Sequence, residues 1–327
     1  MIGEQVVGVV IPSYRVVQHI VGVIANIGPE VDCIYVVDDA CPDGSGLWVQ
    51  SHVLDPRVKV LHCEKNQGVG GAVLAGYRTA LDDGCDVIVK IDGDGQMNPE
   101  LLPLFVNPII QGRADYTKGN RFFNLEDVQT MPWARLIGNA GLSFMCKASS
   151  GYWTIFDPTN GYTAISRYAA SLLPVEKISK RYFFETDMLF RLGTFGAVVQ
   201  DIPMRAIYGD EQSNLSAAKV LFSFLLGHTR NFSKRIFYNY FLRGFSVASV
   251  ELIFSLLFLL FGGVYGVSKW IQSAVTGIHA SSGEVMLASL PIIVGVQLLI
   301  SFVGFDMQNQ PKIPLKDGAQ DQAYGAR

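Results

Sequence analysis

Cysteine and net charge are both scarce in this sequence. Only five cysteines occur among 327 residues, and the formal net charge is −3. The cysteines are odd in number and show no C-x-x-C spacing, which indicates reduced thiols in a cytosol-like compartment rather than a disulfide framework. The small net charge offers no basic surface for nucleic acid. The first residues lack a basic stretch followed by an apolar run, so we expect no cleaved signal peptide.

Apolar residues, by contrast, are abundant and unevenly distributed. They make up 49% of the chain, and the mean hydropathy is +0.27, with the excess towards the C-terminus. The segments 245–267 and 285–305 are each long enough to cross a hydrocarbon layer of about 30 Å. The first carries one charge, Glu251, near its start. We predict a two-helix transmembrane hairpin at 245–305; a pair of buried core helices is the alternative.

Basic residues flank these two segments on their outer sides. They are Arg230, Lys234, Arg235 and Arg243 before the first segment, and Lys312 and Lys316 after the second. Because basic residues are retained on the cytoplasmic side of a membrane, the short loop between the segments is expected outside. The domain before the hairpin and the tail 306–327 are then expected to be cytoplasmic.

The segment 213–244, which precedes the hairpin, is aromatic and basic. It contains no acidic residue, and it mixes leucine and phenylalanine with arginine and lysine. This composition is typical of helices that lie in the membrane interface, where apolar side chains enter the bilayer and basic ones meet anionic headgroups. A helix packed on the preceding domain is the alternative.

The first part of the chain, residues 1–212, alternates apolar strands with helical stretches. The predicted strands are Val6–Ile11, Cys33–Val37, Val58–His62 and Val87–Ile91, and the predicted helices are Val16–Ile27, Ser45–Val53 and Gly70–Leu81. Continuous apolar strands separated by helices are typical of a doubly wound, mostly parallel α/β sheet. Such sheets bind ligands at the carboxyl ends of their strands.

An acidic motif directly follows the fourth predicted strand. In Asp92-Gly93-Asp94-Gly95-Gln96, two carboxylates and an amide oxygen are suited to a hard cation such as Mg²⁺ or Mn²⁺. The glycines allow a tight turn and the close approach of a diphosphate. A bound cation would offset the charge of a departing nucleotide diphosphate. A D-x-D motif alone is often a solvated turn, but its position after a buried strand favours a metal site.

Three further motifs are expected at the same edge of the sheet. Asp38 and Asp39 end the second strand, where a carboxylate can accept hydrogen bonds from a base or ribose. Pro12 and Tyr14 follow the first strand and offer an apolar wall for that base, although Tyr14 also suits core packing. The glycine-rich segment 66–71 opens a helix, so its backbone N–H groups are expected to point at phosphate or sugar oxygens. Its spacing fits neither a Rossmann fingerprint nor a P-loop.

The order of these motifs resembles glycosyltransferase family 2. In chain order the motifs are Pro12-Ser13-Tyr14, Val37-Asp38-Asp39, Asn66-x-Gly68-x-Gly70, Asp92-Gly93-Asp94-Gly95-Gln96, Gly119-Asn120-Arg121, the segment from Asp157 to Tyr162, and Glu185-Thr186-Asp187. Within the family, the chain is similar to the polyprenyl-phosphate glycosyltransferases, a group that includes dolichol-phosphate mannose synthase. The resemblance covers residues 6–216, and the hairpin is similar to that of bacterial members.

The resemblance implies a GT-A fold, a nucleotide-sugar donor, a polyprenyl phosphate acceptor and a divalent metal, Mg²⁺ or Mn²⁺. The metal motif matches Asp92, Asp94 and Gln96. The nucleotide-sugar site then takes in Gly93 and the other residues of the motifs, which are Pro12, Tyr14, Asp38, Asp39, Asn66, Gly68 and Gly70. Phosphate-binding positions match Arg121, Arg135, Asn139, Arg205 and Ser213. The sequence departs from the family pattern at Arg15-Val16, which affects base contacts, and at Asn214, where a lysine is common.

A phosphate acceptor accounts for the lack of an obvious histidine base. The histidines at positions 19, 52, 62 and 228 are scattered, and each suits a structural or exposed position better. A phosphate monoester is largely dianionic at neutral pH and attacks without losing a proton. The reaction is then an inverting, in-line displacement that needs mainly positioning and charge stabilisation, for which arginine is well suited. Asp157, Glu185 and Asp187 either line the sugar pocket or serve as helix caps and arginine partners.

Three other functions are alternatives to a polyprenyl-phosphate glycosyltransferase. A processive polysaccharide synthase of the same fold carries a Gln-x-x-Arg-Trp motif that does not occur here, and two spans are few for a translocation channel. A non-catalytic membrane scaffold that binds sugar-lipids would not require intact Asp92, Asp94, Arg121 and Arg135. A nucleotidyltransferase would need a basic, glycine-rich N-terminal loop. The favoured prediction is a transferase in a bacterial inner membrane that acts on a UDP-linked sugar, with self-association through the membrane helices an open possibility.

Overall fold

The protein consists of two compact units. The computed structural model describes residues 5–123, 133–205 and 217–315, apart from the side chains of 134, 135 and 217–221. The first unit comprises Met1–Phe232 and Pro311–Arg327, and the second comprises Ser233–Gln310. The division of the chain at 212, 244 and 305 stays a prediction.

The first unit is built on a sheet in which four of the seven described strands were predicted. The described strands are β1 Val7–Ser13, β2 Cys33–Asp38, β3 Val58–His62, β4 Val87–Lys90, β5 Tyr116–Asn120, β6 Thr163–Ser166 and β7 Val199–Pro203. Their order in the sheet is β3-β2-β1-β4-β6-β5-β7. The pairings among β1 to β4 are parallel, as is that of β5 with β7, whereas β6 runs antiparallel to both of its neighbours. The prediction of a mostly parallel α/β sheet is therefore confirmed.

Helices cover both faces of this sheet. The described α-helices are α1 Ile20–Ala25, α2 Ser45–His52, α3 Val69–Asp82, α4 Leu102–Ile110, α5 Trp133–Ser150, α6 Arg167–Ser171, α7 Phe184–Phe195, α8 Ala217–Phe237, α9 Val247–Thr276 and α10 Ser282–Gln308. Short 3₁₀ turns occur at Pro99–Leu101 and Val175–Lys177, and a π-helical segment at Tyr238–Arg243. The first helix is shorter than predicted, because Val16–His19 forms its entry turn rather than a helical turn.

Alternate residues of each strand supply two separate hydrophobic cores. Val10 and Val37 face one side of the sheet with α3, α5 and α7, while Val9 and Val36 face the other side with α1, α2 and α4. Successive strand side chains point to opposite faces, so a strand that is buried on both sides is apolar throughout. This packing fixes the strand ends, and with them the residues that follow each strand.

The second unit contains the two long apolar helices α9 and α10. Their mean hydropathies are 2.2 and 2.3, and only 22% and 11% of their most apolar windows are buried. Helices of a soluble core would be mostly buried, so these values favour membrane spans over the alternative. A Cβ at Gly295 would lie 2.9 Å from Leu259 Cγ, which shows that the helices pack closely where a glycine makes room. Ser301 Oγ donates to Glu251 Oε1 at 2.8 Å, so Glu251 makes a contact between the helices.

A buried ionic cluster lies at one end of this unit. Arg235 binds Asp306 through two hydrogen bonds, Nη1 to Oδ1 at 2.6 Å and Nη2 to Oδ2 at 3.0 Å. Tyr240 Oη donates to the same Oδ1 at 2.6 Å. Bidentate arginine–carboxylate pairs fix geometry as well as charge, so the cluster sets the register of Arg235 against the end of α10.

Within the first unit, one face of α8 packs on the α/β domain. Phe224 makes an edge contact with Phe183, with ring centroids 5.3 Å apart. His228 Nδ1 lies 2.8 Å from Ser149 Oγ, and Asn231 Nδ2 donates to Asp187 Oδ1 at 2.9 Å. This face of α8 therefore packs on the domain, as the alternative prediction for segment 213–244 proposed.

The buried position of His228 predicts a pH-dependent stability. Burial lowers the pKa of His228 to about 4, below the value of about 6.5 in an unfolded chain. Between these values the unfolded chain binds more protons, so this contribution to stability is lost as the pH falls from about 6.5 to about 4. We expect H228L to flatten the fall in Tm between pH 7.5 and 4.5, an effect worth at most about 3 kcal/mol.

Circular dichroism of the detergent-solubilised protein measures this difference. The control is H279L, which removes a histidine that is exposed in the loop between α9 and α10. A pH dependence of Tm that is the same in H228L and in the unaltered protein would contradict the assignment.

Candidate active site

The candidate site lies at the carboxyl edge of the sheet. Strands β1, β2 and β4 are parallel neighbours, so their last residues, Ser13, Asp38 and Lys90, lie along one edge. The residues that follow these strands therefore gather at the edge where α/β sheets bind ligands.

A buried lysine underlies the acidic motif. Lys90, the last residue of β4, has a side chain only 1% exposed, and its Nζ lies 2.8 Å from Asp92 Oδ1 and 3.1 Å from Glu185 Oε1. Burial opposes protonation of Lys90, but the charges of Asp92 and Glu185 outweigh it and hold its pKa above the usual value. The edge thus contains an ammonium group clamped between two carboxylates from distant parts of the sequence.

The same motif fits a divalent cation. Asp92 Oδ1 is buried and, despite the contact with Lys90, accepts no hydrogen bond. Asp94 Oδ1 accepts a hydrogen bond from Gln96 N at 3.0 Å, which fixes the turn. Within the described ranges no group of three or more His, Cys, Asp or Glu residues is arranged for a metal. Two carboxylates suit a Mg²⁺-like ion that takes its remaining oxygens from phosphate and water.

The two aspartates at the end of β2 hold neighbouring loops. Asp38 accepts hydrogen bonds from Cys41 N at 2.7 Å and Gly46 N at 2.9 Å. Asp39 accepts from Gln67 N at 2.7 Å and Gly68 N at 2.8 Å. Each carboxylate therefore organises the edge through backbone N–H groups, and contact of either with a nucleotide stays a prediction.

The backbone N–H groups of the glycine-rich segment 66–71 differ from the expectation. Its N–H groups were expected to point at a ligand, but those of Gly70 and Gly71 donate to Lys180 O, and those of Gln67 and Gly68 to Asp39. The glycines are needed for close packing instead. A Cβ at Gly68, where φ is +86°, would lie 2.5 Å from Lys180 O, and Asn66 is held through its Nδ2 by Asp39 O.

Arg121 and Asp157, assigned separately from the sequence, form one pair. Arg121 Nε and Nη2 donate to the two oxygens of Asp157 at 2.7 and 2.8 Å, and Asn160 Nδ2 adds a third hydrogen bond at 3.1 Å. Burial alone would raise the pKa of Asp157, but Arg121 and the charge of Lys118 hold it below the usual value. Of the two roles left open for Asp157, pairing with arginine is the one observed.

A second fully buried lysine stands beside this pair. Lys118 Nζ donates to the backbone oxygen of Asp157, and burial lowers the pKa of Lys118. Burial also raises the pKa of the nearby Asp201 carboxyl to about 6, although Phe156 N and Asn120 Nδ2 donate to it. A buried lysine thus lies beside both Asp92, which follows β4, and Asp157, which precedes β6.

The two acidic residues at the start of α7 take different places. Glu185 reaches Lys90 and so lies beside Asp92. Asp187 is 4% exposed and is bound by Ser179 N at 2.9 Å and by Asn231 Nδ2. Asp187 therefore anchors α8, in the capping and pairing role, and the structure brings Glu185 rather than Asp187 to the metal motif.

The remaining predicted residues are spread around the edge. Pro12 and Tyr14 follow β1, with Tyr14 42% exposed, and Gly93 follows Asp92 within the turn. Asn139 lies half-buried on α5, and Arg205 is exposed after β7. Arg135 lies on α5 with its side chain outside the described residues, and Ser213 is outside them altogether.

One exposed histidine lies beside the acidic motif. His19 borders Gly95, since a Cβ at Gly95 would lie 3.6 Å from His19 Cβ. With Arg15, Val17, Gln18 and Asp43, His19 lines an open cleft of about 400 Å³. Its side chain is exposed, which is one of the two positions expected from the sequence, and it reaches the motif because the entry turn of α1 returns to the carboxyl edge.

Two functional candidates, Lys90 and Lys118, were missed from the sequence. Both lysines occupy positions in buried strands, where an isolated charge is strongly unfavourable. That position was the available signal, because a lysine in a strand with both faces covered requires carboxylate or carbonyl partners.

The fold and the acidic edge define a GT-A glycosyltransferase. The family model described as glycosyl transferase family 2 matches residues 8–173. The chain belongs to this family, and the resemblance seen in the motifs is confirmed.

Curated relatives and solved structures agree with this assignment. The chain is 33% identical over 200 residues to an undecaprenyl-phosphate mannosyltransferase of Micrococcus luteus, covering 60% of this chain and 81% of the relative. It is 34% identical over 202 residues to a polyprenol monophosphomannose synthase of Mycolicibacterium smegmatis, covering 60% and 75%. Glucosyl-3-phosphoglycerate synthase of Mycobacterium tuberculosis, solved with Mn²⁺, UDP and phosphoglyceric acid, shares the fold at a TM-score of 0.52 and 17% identity, covering 71% and 78%.

The close approach of Gly161 to the charged cluster yields a test. A Cβ at Gly161 would lie 2.4 Å from Lys90 Nζ and 2.5 Å from Asp92 Oδ2. We expect G161A to lower the free energy of unfolding by about 1–3 kcal/mol through overpacking and to reduce transferase activity at least about tenfold. The control is G22A on α1, where a Cβ meets nothing within 4 Å. G161A with the stability and activity of G22A would contradict the geometry.

Proposed function

We propose that the protein transfers a sugar from a nucleotide-sugar to a polyprenyl phosphate, with inversion at the anomeric carbon. The observation that carries the proposal is the acidic edge itself, where Asp92 and Asp94 follow β4 and the backbone N–H of Gln96 fixes the turn at Asp94. Two carboxylates at the ligand-binding edge of a GT-A sheet favour a divalent cation and the diphosphate that accompanies it.

On the donor side, Asp92, Asp94 and Gln96 would hold the cation. When bound, Mg²⁺ or Mn²⁺ supplies positive charge against the leaving nucleotide diphosphate. The nucleotide would lie along the ends of β1 and β2, against Pro12 and Tyr14. A solved structure that shares the fold contains Mn²⁺ and UDP, which supports a divalent cation and a UDP-linked donor here.

On the acceptor side, relatives support a lipid phosphate. Two curated relatives are named for undecaprenyl phosphate and polyprenol, and a 27% identical relative from Methanococcus voltae for dolichyl phosphate. A phosphate dianion needs no general base, so the residues of this chain would mainly position it. Asp157 holds Arg121 in a fixed orientation through the Nε and Nη2 donors of the guanidinium group, so the positive charge of Arg121 would help to position the phosphate.

A membrane-bound acceptor also accounts for the apolar helices. A polyprenyl chain stays in the bilayer, so the enzyme must work at its surface. Helices α9 and α10 would anchor the protein, and the outward face of α8 would lie in the interface, where Phe222 is 69% and Leu226 is 63% exposed. The basic flanks of the hairpin support a cytoplasmic catalytic domain.

Loss of the metal motif tests the donor chemistry. With a short polyprenyl phosphate and a panel of UDP- and GDP-sugars, we expect one lipid-linked sugar, identified by mass and anomeric configuration. D94N should lower its formation at least about a hundredfold, because charge stabilisation at the leaving group is lost.

The matched control for this test is D82N, which removes an exposed aspartate at the far end of α3. Full turnover of D94N in the presence of Mn²⁺ would refute the metal-dependent mechanism. A retained anomeric configuration would refute inversion alone.

Thiol labelling tests the orientation. In intact spheroplasts, a membrane-impermeant maleimide should label A280C, in the loop between α9 and α10, without permeabilisation. Native Cys41, which is partly exposed at the carboxyl edge of the sheet, should react only after lysis. The opposite pattern would reverse the proposed orientation.

A further inference from the structure

The ammonium group of Lys90 shares its partner with the predicted cation. Lys90 Nζ lies 2.8 Å from Asp92 Oδ1, the same oxygen that is buried without a hydrogen bond. On its other side, Nζ lies 3.1 Å from Glu185 Oε1, and the whole side chain is 1% exposed. A flexible surface lysine would swing away from an arriving cation, whereas this lysine is enclosed.

The surroundings of Lys90 hold it in place. Lys90 pairs in the sheet with Val10 of β1 and with Thr163 of β6. Gly161 lies so close that even a methyl group would collide with Nζ. The side chain of Lys90 is therefore held at the site by the packing around it.

Two positive charges at one carboxylate oxygen repel each other. A divalent ion bound at Asp92 would stand a few ångström from Lys90 Nζ, in surroundings that screen charge less than water does. Without further negative charge, Lys90 already neutralises Asp92 and opposes the ion. A nucleoside diphosphate brings negative oxygens to the same edge and offsets that repulsion.

We propose that Lys90 is a positioning residue that makes metal binding depend on the nucleotide. It keeps Asp92 and Glu185 together in the free protein and weakens binding of a lone divalent ion. Metal and nucleoside diphosphate then bind together, and the metal leaves when the nucleotide does. This inference rests on the proposed function, because it assumes that Asp92 meets the cation.

Electron paramagnetic resonance of Mn²⁺ tests the inference directly. Free Mn²⁺ is titrated with the full-length protein in the absence of nucleotide, with UDP, and with GDP, after subtraction of protein-free nucleotide controls. For the unaltered protein, we expect affinity for Mn²⁺ to be at least about tenfold higher with one of the nucleotides. In K90M, affinity for Mn²⁺ without nucleotide should rise about tenfold or more. The ratio of Mn²⁺ affinity with nucleotide to that without should therefore be smaller.

Two variants complete the test. K59M removes an exposed lysine from β3 and should leave the ratio unchanged, which controls for net charge. E185Q leaves Lys90 to Asp92 alone, so Mn²⁺ binding without nucleotide should weaken and the ratio should widen. Circular dichroism shows whether K90M folds. If it does not, E185Q alone tests the inference.

The outcomes separate this inference from the proposed function. A ratio in K90M or in folded E185Q equal to that of the unaltered protein would overturn the role of Lys90, as would equal Mn²⁺ affinity with and without nucleotide in the unaltered protein. Absence of Mn²⁺ binding under every condition would instead refute the proposed metal site.

Discussion

The structure of the site depends on the burial of one positive charge. A lysine ammonium group in a protein interior is tolerated only with partners that replace its hydration. Lys90 obtains them from Asp92, two residues further along the chain, and from Glu185, at the start of α7. That requirement fixes where α7 begins, and it forbids a side chain at position 161. The same contacts fix the position of Asp92, so the core of the sheet, rather than a surface loop, sets the geometry of the acidic motif.

Much of the sheet was predictable because burial on both faces imposes a local pattern. Strand β3 begins and ends as predicted, and β2 and β4 each differ by one residue at an end. The strands β5, β6 and β7 were not predicted, because none of them is a continuous apolar run like those of β1 to β4. The antiparallel direction of β6 is set by its neighbours β4 and β5, which no local signal records. The GT-A fold was therefore recognisable, while the second half of the sheet was recognisable only through its motifs.

The same limit applies to the site. The position of Asp38, Asp39 and Asp92 after buried strands was sufficient to bring them to one edge. Their partners were not predictable, because the contacts join distant residues: Lys90 meets Glu185, and Arg121 meets Asp157. A sequence indicates that a buried charge requires a partner, but the fold selects it. For that reason, Arg121 and Asp157, which were assigned separate roles, form one bidentate pair. The glycine-rich segment allows close packing of the backbone.

In helix α8 the buried side chains are mostly polar, while several large apolar side chains are exposed. This distribution is relevant to where the enzyme acts. Its buried stripe is mostly polar, with His228, Asn231 and Arg235 each bound to a specific partner. Its outward side chains include apolar ones that are at least 41% exposed, together with exposed basic ones such as Arg230 and Lys234; the apolar ones include Phe222, Leu225, Leu226, Phe232 and Phe237. In water this arrangement is unfavourable, since apolar surface is exposed while polar groups lose hydration. Against a bilayer it is favourable, because polar groups find partners inside the protein and the apolar side meets lipid. Packing on the domain and the proposed contact with a membrane would thus involve opposite faces of one helix, so the two alternatives weighed from the sequence are compatible.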